Sequence, residues 1–401
     1  MRQADITRDL QILGLPADVI SAWRDDLAAL PGDVDLDAPL WWLDETALRS
    51  TCSELAYAPA IADAFSDTAH ELRRANPAWQ TLIHLAAHVW LQPGRENRGK
   101  AYLRPGPSAE TWGLLADMFK PMVFLTLLPM MVKRHRDLGI DPQITRDTAD
   151  DLPLWMEDHH CRFGRWGTCD KAGWFLIHLN GELFKLGRLQ FEFGRFSLPY
   201  VILQDDAGKC VAVVTGAHLI RADGQFASAD KGIDRDAPTN WTTTFTQDDS
   251  RIEGHAVDAQ GRISPTRSTF STHQYQTLVT AGDPVLSIHI PARGRLDIPA
   301  CENSFNQARD FFRRHFPQYN ARVFTCSSWL MDPQLATLPD GPSNLGRFVR
   351  LFQSLPSPHG DSWQMFERVF DNQSDLATLP RDNRLRRALI AHMEAGGRWR
   401  S

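Results

Sequence analysis

Three polar side chains stand where the periodicity of the chain would present them to a reaction. Glu192 lies in Arg188-Leu-Gln-Phe-Glu-Phe193. This strict alternation puts Arg188, Gln190 and Glu192 on one strand face and Leu189, Phe191 and Phe193 on the other. His289 stands just before the end of a second apolar run, Val285–Ile290, which Pro291 closes. Ser328 falls in a third, Arg322–Leu330. A carboxylate and an imidazole suit proton transfer near neutral pH, and a hydroxyl can donate to a leaving group. After the second run comes Ala292-Arg-Gly-Arg-Leu296. There Gly294 permits close backbone approach, and the guanidinium forks of Arg293 and Arg295 match phosphate oxygens. Each group also has a plainer use. Glu192 fits a surface charge, His289 a packed strand histidine, Ser328 a hydroxyl satisfying backbone beside Trp329, and the arginines a solvated corner.

The elements that must position these groups follow from the pattern. Up to about Asp158 the chain reads as helical, with helices expected over Trp79–Leu91 and Ser108 to about Leu138 and from Asp141 to about Glu157, interrupted near Pro153. Gln92–Lys100 reads as a polar loop. The period then changes. Trp174–Leu179, Asn180-Gly181 and Glu182–Leu186 read as a hairpin, since Asn-Gly supplies the positive φ angles of a type I′ turn. Strands are expected at Tyr200–Leu203, Cys210–Val214 and around Trp241–Phe245, within an Asp-, Gly- and Thr-rich insert near 204–283. From Val285 the order becomes strand, loop, helix, strand, helix, strand. Asp297 and Pro299 open the first of those helices, Pro342-Ser343-Asn344 the second, and Trp363–Val369 is the last strand. A charged helix, Arg381–Glu394, follows. The chain thus reads as a helical domain over 1–158, a mixed sheet flanked by helices over 159–375, and a helical tail over 376–401.

Bulk numbers narrow the function classes. The 401 residues are 43% hydrophobic and 23% charged, which fits a folded protein. A net charge of −6 argues against a dedicated nucleic-acid binder. The six cysteines are scattered and read as reduced thiols of a cytoplasmic protein. The apolar run Pro121–Val132 falls short of the roughly 20 residues of a membrane span and reads as a buried helix. His84 and His88 have ligand spacing but lack the adjacent glutamate of a metalloprotease, so no metal site is expected. Cys326, His289 and Asp332 could form a nucleophilic set only if the fold assembled them.

The strand–loop–helix order from Val285, preceded by an antiparallel set, resembles the core of a GNAT acyltransferase. Val285-Leu-Ser-Ile-His-Ile-Pro291, Ser304-x-x-x-Ala308-x-x-Phe311-Phe312-x-x-x-Phe316-Pro317, Cys326-x-Ser-Trp-Leu-x-Asp-Pro333 and Ser343-Asn344 resemble a bacterial family of acyltransferase domain-containing proteins. Gly187-Arg-Leu-Gln-Phe-Glu192 and Gly164-Arg-Trp-Gly167 fit the same family. These proteins join a helical N-acyltransferase N-terminal domain to a GNAT-like C-terminal domain. The resemblance implies an α+β fold and acyl transfer from acetyl-CoA or another acyl-CoA, or a carrier-bound thioester, to an amine of a small molecule or peptide. It implies no metal, nucleic acid or membrane partner. It places the cosubstrate on Ile288, Ile290, Ala292, Arg293, Gly294, Arg295 and Leu296, with Glu192 or His289 as base and Ser328 as donor to the leaving thiolate. The loop is spelled Pro291-Ala-Arg-Gly-Arg-Leu296 in place of the usual Gln/Arg-x-x-Gly-x-Gly/Ala. A GNAT-like binding or regulatory protein without catalysis is the other reading this leaves.

Overall fold

A computed structural model describes residues 3–30, 38–91, 102–232, 234–337 and 344–399. The Gln92–Lys100 loop and the Pro342-Ser343 helix opening lie outside the described residues. The chain divides into two compact units, Met1–Leu186 and Gly187–Ser401.

The first unit is built from helices: α1 (Gln3–Ile12), α2 (Ala17–Ala29), α3 (Glu45–Glu54), α4 (Pro59–Arg74), α5 (Ala78–Trp90), α6 (Ala109–Trp112), α7 (Leu114–Asp137), α8 (Pro142–Ala149), α9 (Asp151–Phe163) and α10 (Phe175–Leu179), followed by strand β1 (Leu183–Leu186). Its core is aromatic, with Trp23, Trp42, Phe65, Trp79, Trp90 and Phe124 buried. The 24-residue α7 is long and apolar enough to cross a membrane, but 61% of its apolar window is buried inside the protein. It is the centre of this core: Trp42 Nε1 donates to Thr126 Oγ1 at 2.8 Å and Trp41 Nε1 to the Thr126 carbonyl at 3.2 Å. Pro121 and Pro129 lie inside this helix, and Pro129 has no N–H for the Leu125 carbonyl one turn earlier.

Three expectations about this unit change. The helix expected from Ser108 to about Leu138 is divided at Gly113 (φ +53°) into α6 and α7. The break expected at Pro153 falls at Asp150, and Pro153 sits in the first turn of α9, where its missing N–H does no harm. Trp174–Leu179 is not a strand. Phe175–Leu179 is helical, and Asn180-Gly181 ends the helix. Gly181 (φ +67°) donates to the His178 carbonyl at 2.9 Å and Glu182 to the Ile177 carbonyl at 3.0 Å, a Schellman closure. The left-handed backbone that an Asn-Gly hairpin needs serves equally as a helix stop.

The second unit carries two sheets. In the first, β2 (Leu189–Arg195) pairs antiparallel with β11 (Pro284–His289), and β11 pairs parallel with β12 (Phe324–Thr325). In the second, the order is β10 (Tyr275–Val279), β3 (Tyr200–Asp205), β4 (Cys210–Val214), β8 (Arg251–Val257) and β7 (Thr246–Gln247), with β9 (Ile263–Ser271) also on β8. Two short strands, β5 (Leu219–Ile220) and β6 (Trp241–Thr242), form a separate ribbon. The 204–283 insert thus builds most of the second sheet. Helices α11 (Ile298–His315), α12 (Asn344–Val349), α13 (Trp363–Phe370) and α14 (Arg384–Glu394) complete the unit.

The alternation in β2 works as the sequence requires. Phe193 packs edge-on against Phe312 (5.2 Å between ring centroids) and Phe316 (5.0 Å), while Phe191 meets Phe305 and Phe324. Gln190 and Glu192 take the other face and are buried as well. Two predicted strands differ. Of Arg322–Leu330 only Phe324–Thr325 pairs, because Ser328 Oγ accepts from Leu330 N–H and starts a 3₁₀ turn, Trp329–Met331. Trp363–Phe370 is a helix: Met365 and Val369, four apart, enter a cluster with Leu389, Ile390 and Trp399, a helical spacing that outweighs any alternation.

Candidate active site

The site begins with the pairing of β2 and β11. Their register sets Ser287 opposite Glu192 and His289 opposite Gln190. Residues two apart share a face, so Glu192 and His289 are diagonal neighbours on one side of the sheet. His289 Nε2 lies 2.8 Å from Glu192 Oε2; the carboxylate is buried and the imidazole about a quarter exposed. The two strands come close here. A Cβ on Gly194 would lie 2.4 Å from Ser287 Oγ, so any larger residue there would force the Ser287 hydroxyl to turn away. Tyr319 Oη donates to the Gly194 and Val285 carbonyls and ties both strands at this point.

On its other edge β11 soon loses its partner. Pairing with β12 covers Leu286↔Phe324 and Ser287↔Thr325, after which Cys326–Ser328 leave the sheet. Leu286 N–H donates to the Val323 carbonyl at 3.1 Å. By alternation the backbone groups of Ile288 and Ile290 face that same edge, where the ladder stops. The β11–β12 ladder therefore ends two residues before His289.

Glu192, Ser287, His289, Thr325, Cys326 and Ser328 all line one cavity of about 890 Å³. Leu198, Ile202, Leu278, Val279, Val323 and Leu355 give it an apolar wall, and Gly396, Gly397 and Arg398 of the C-terminal segment line it too. That segment is held by an ion pair, Arg398 Nη1 to Asp234 Oδ2 at 2.5 Å, and by Gln334 Nε2 donating to the Arg398 carbonyl at 2.8 Å. The same cavity is also lined by charged side chains such as Asp223, Asp234 and Arg262, so it has room for a ligand with both an apolar and a polar part.

The chemistry available at the pair is proton transfer. With Nε2–H donating to Glu192, the imidazole is fixed in one tautomer and Nδ1 becomes its basic nitrogen. Ser328 Oγ accepts from Leu330 N–H at 3.3 Å, which leaves its own O–H to donate. Cys326 does not join a nucleophilic set. Burial pushes its thiol up to about 12, His289 is engaged by Glu192, and Asp332 accepts from Gln334. Among the described residues no group of three or more His, Cys, Asp or Glu side chains could hold a metal ion.

The expected cosubstrate residues divide. Ile288 is buried in the sheet, Ile290 is half-buried just past the end of β11, Leu296 is buried, and Ala292, Arg293, Gly294 and Arg295 are exposed. Among the described residues, those lining the cavity do not include this loop. Gly294 adopts φ +82°, the left-handed conformation for which it suits. The N-terminus of α11 is already capped: Asp297 accepts from Ala300 N–H at 3.1 Å, and Pro299 has no N–H to offer. An anion at this corner therefore depends on the loop rather than the helix end. Arg188, read from the sequence only as a polar-face residue, reaches across to that loop. Its Nε donates to the Arg295 carbonyl at 2.8 Å and its Nη2 to the Gly294 carbonyl at 3.1 Å. Nothing in the sequence marks this contact, nor the part played by Gly396–Arg398.

A helical first unit and a second unit whose mixed sheet carries a strand, loop and helix in succession have the layout of a GNAT-like acyltransferase. Residues 183–401 match the family described as GNAT-like C-terminal domain, and residues 46–181 that described as N-acyltransferase N-terminal domain. The chain belongs to this family of N-acyltransferases with a GNAT-like C-terminal domain. Several solved structures share its fold. An acyltransferase in complex with decanoyl-CoA and teicoplanin is 24% identical, with TM-score 0.60, covering 100% of this chain and 98% of that one. An acyltransferase in complex with CoA and 10C-teicoplanin has TM-score 0.61 at the same identity and coverage. A mutant in complex with octanoyl-CoA is also 24% identical, with TM-score 0.61, covering 100% of this chain and 97% of that one. No curated protein matches the sequence.

Proposed function

We propose that this protein transfers an aliphatic acyl group from acyl-CoA to an amine of a small molecule or peptide, in the cytoplasm. The observation that carries the reading is the His289–Glu192 pair, 2.8 Å apart, beside the end of the β11–β12 ladder and inside a large, partly apolar cavity. The relatives solved with decanoyl-, octanoyl- and free CoA support the donor, and the glycopeptide teicoplanin supports a peptide-like acceptor.

The pantetheine arm of the donor lies along β11 past Ser287, meeting the backbone of Ile288 and Ile290, with its diphosphate at the Ala292–Leu296 loop beside Arg293 and Arg295. The acyl chain lies on the apolar wall. The acceptor nitrogen attacks the thioester carbonyl carbon, the C–N bond forms and the C–S bond breaks. His289 Nδ1 takes the proton the amine loses, and Glu192 stabilises the imidazolium. A backbone N–H of the β11 edge faces the oxygen on which negative charge develops. The sulfur leaves as a thiolate that accepts a hydrogen bond from Ser328 O–H; the proton held by His289 passes through water to the sulfur, so the products are an amide and free CoA and the imidazole is regenerated.

The test combines binding and turnover. At 100 times its dissociation constant a ligand that binds only the folded form adds about 2.7 kcal/mol to stability. Acetyl-, octanoyl- and decanoyl-CoA are expected to raise the melting temperature, the longer chains more, and thiol release is expected only when an amine acceptor is present. No shift with any of the three at saturation would sink the proposal.

A further inference from the structure

We propose that Arg188 is a positioning residue for the donor's diphosphate, acting by holding the Gly294-Arg295 backbone so that its amides face outward. The inference rests on the acyl-CoA reading above and concerns a residue that does not touch the reacting atoms.

The argument is geometric. Arg188 binds two successive carbonyls of the loop, Gly294 and Arg295, from one side. In a trans peptide the C=O and the following N–H point in opposite directions. With the Gly294 carbonyl turned toward Arg188, the Arg295 N–H points away from it; with the Arg295 carbonyl turned likewise, so does the Leu296 N–H. Two neighbouring amides facing the same way form a small concavity for an anion. Arg293 and Arg295 are exposed at the same loop.

Arg188 is itself well held. Its backbone N–H donates to Ser304 Oγ at 2.8 Å, and Ser304 is fully buried on α11. Gly187, at φ +66°, lets the chain approach Ser304 so closely that a Cβ would lie 2.8 Å from its hydroxyl. The half-buried guanidinium also keeps a positive charge behind the loop, and its Nη1 is buried without a hydrogen-bond partner. The loop lacks the second glycine of the usual signature and its helix end is capped by Asp297. The side chain of Arg188, just ahead of β2, therefore takes over the shaping of this loop.

The experiment compares two donors carrying the same acyl chain, octanoyl-CoA and the octanoyl thioester of N-acetylcysteamine, which has no diphosphate. Arg188→Met is expected to raise KM for octanoyl-CoA roughly tenfold, the equivalent of about one charge-assisted hydrogen bond. It should leave kcat, and KM for the short thioester, unchanged. Arg188→Lys, which keeps the charge and one donor, should recover part of the loss. Should Arg188→Met fail to fold, Arg188→Lys carries the same comparison with a smaller shift. Equal changes for both donors would mean a structural role, and an unchanged KM for octanoyl-CoA no role; either overturns the proposal. A wild-type protein that turns over neither donor would instead overturn the acyl-transfer reading.

Discussion

At the residue scale the proposed reaction rests on three side chains with unequal work. A positioned base contributes roughly 10²–10⁴-fold to rate, so His289→Ala is expected to lower kcat by that amount with little change in KM for the donor. Glu192→Gln keeps the shape but offers no negative charge to the imidazolium, and should cost less. Ser328 has the least to do. A thiolate whose conjugate acid titrates near 8.5 leaves without much help, so Ser328→Ala is expected to cost under about tenfold. Steady-state kinetics on the three folded variants would check this order. A Ser328→Ala loss equal to that of His289→Ala would contradict it. The types of these residues were legible in the sequence, because alternation placed Glu192 on a polar face and Pro291 marked the strand end beside His289. Their pairing was not, since it depends on a register between segments about a hundred residues apart. Burial was also hidden: a Glu on a polar face reads as solvated, whereas Glu192 is buried at the wall of a cavity.

At the scale of elements, the early end of the β11–β12 ladder depends on β12 pairing for only two residues, and β11 itself on β2 being firmly seated. Phe191 does much of that seating. It is fully buried and touches Phe305 of α11 and Phe324 of β12. Phe191→Ala removes a ring from a packed site and is expected to destabilise the protein by about 3–5 kcal/mol, read as a lower urea midpoint at unchanged slope. A cost below about 1 kcal/mol would mean the cluster does not anchor the strand. Elements with one dominant period, such as β2, β11 and α11, were readable from the chain. Misreadings arose where one local signal has two physical uses. Asn180-Gly181 satisfies a hairpin or a helix stop, and Trp363–Val369 is apolar at both strand and helix spacings. Tertiary burial of Met365 and Val369 together decided the second case.

At the scale of the whole molecule, stability should depend on pH through a histidine far in sequence from the chemistry. His135 is fully buried on α7, with Nδ1 3.0 Å from Thr145 Oγ1 and its ring against Phe184. Burial, with Arg134 and His178 adding repulsion, lowers its pKa to about 4. His178 in turn meets Asp151 at 3.2 Å. In an unfolded chain a histidine titrates near 6.5. Between those two values the unfolded state binds a proton that the folded state refuses, so the contribution of His135 is complete above about pH 6.5 and is lost as pH falls toward 4. The loss between pH 7 and pH 5 is on the order of 2 kcal/mol. Carboxylates also titrate in acid, so the difference from a His135→Gln variant isolates the histidine. Urea unfolding of the two proteins at pH 7, 6 and 5 should show the wild type weakening more steeply, with the curves converging as pH falls. Parallel curves would show that His135 takes up its proton in the folded state, and hence that the helical core around α7 admits charge.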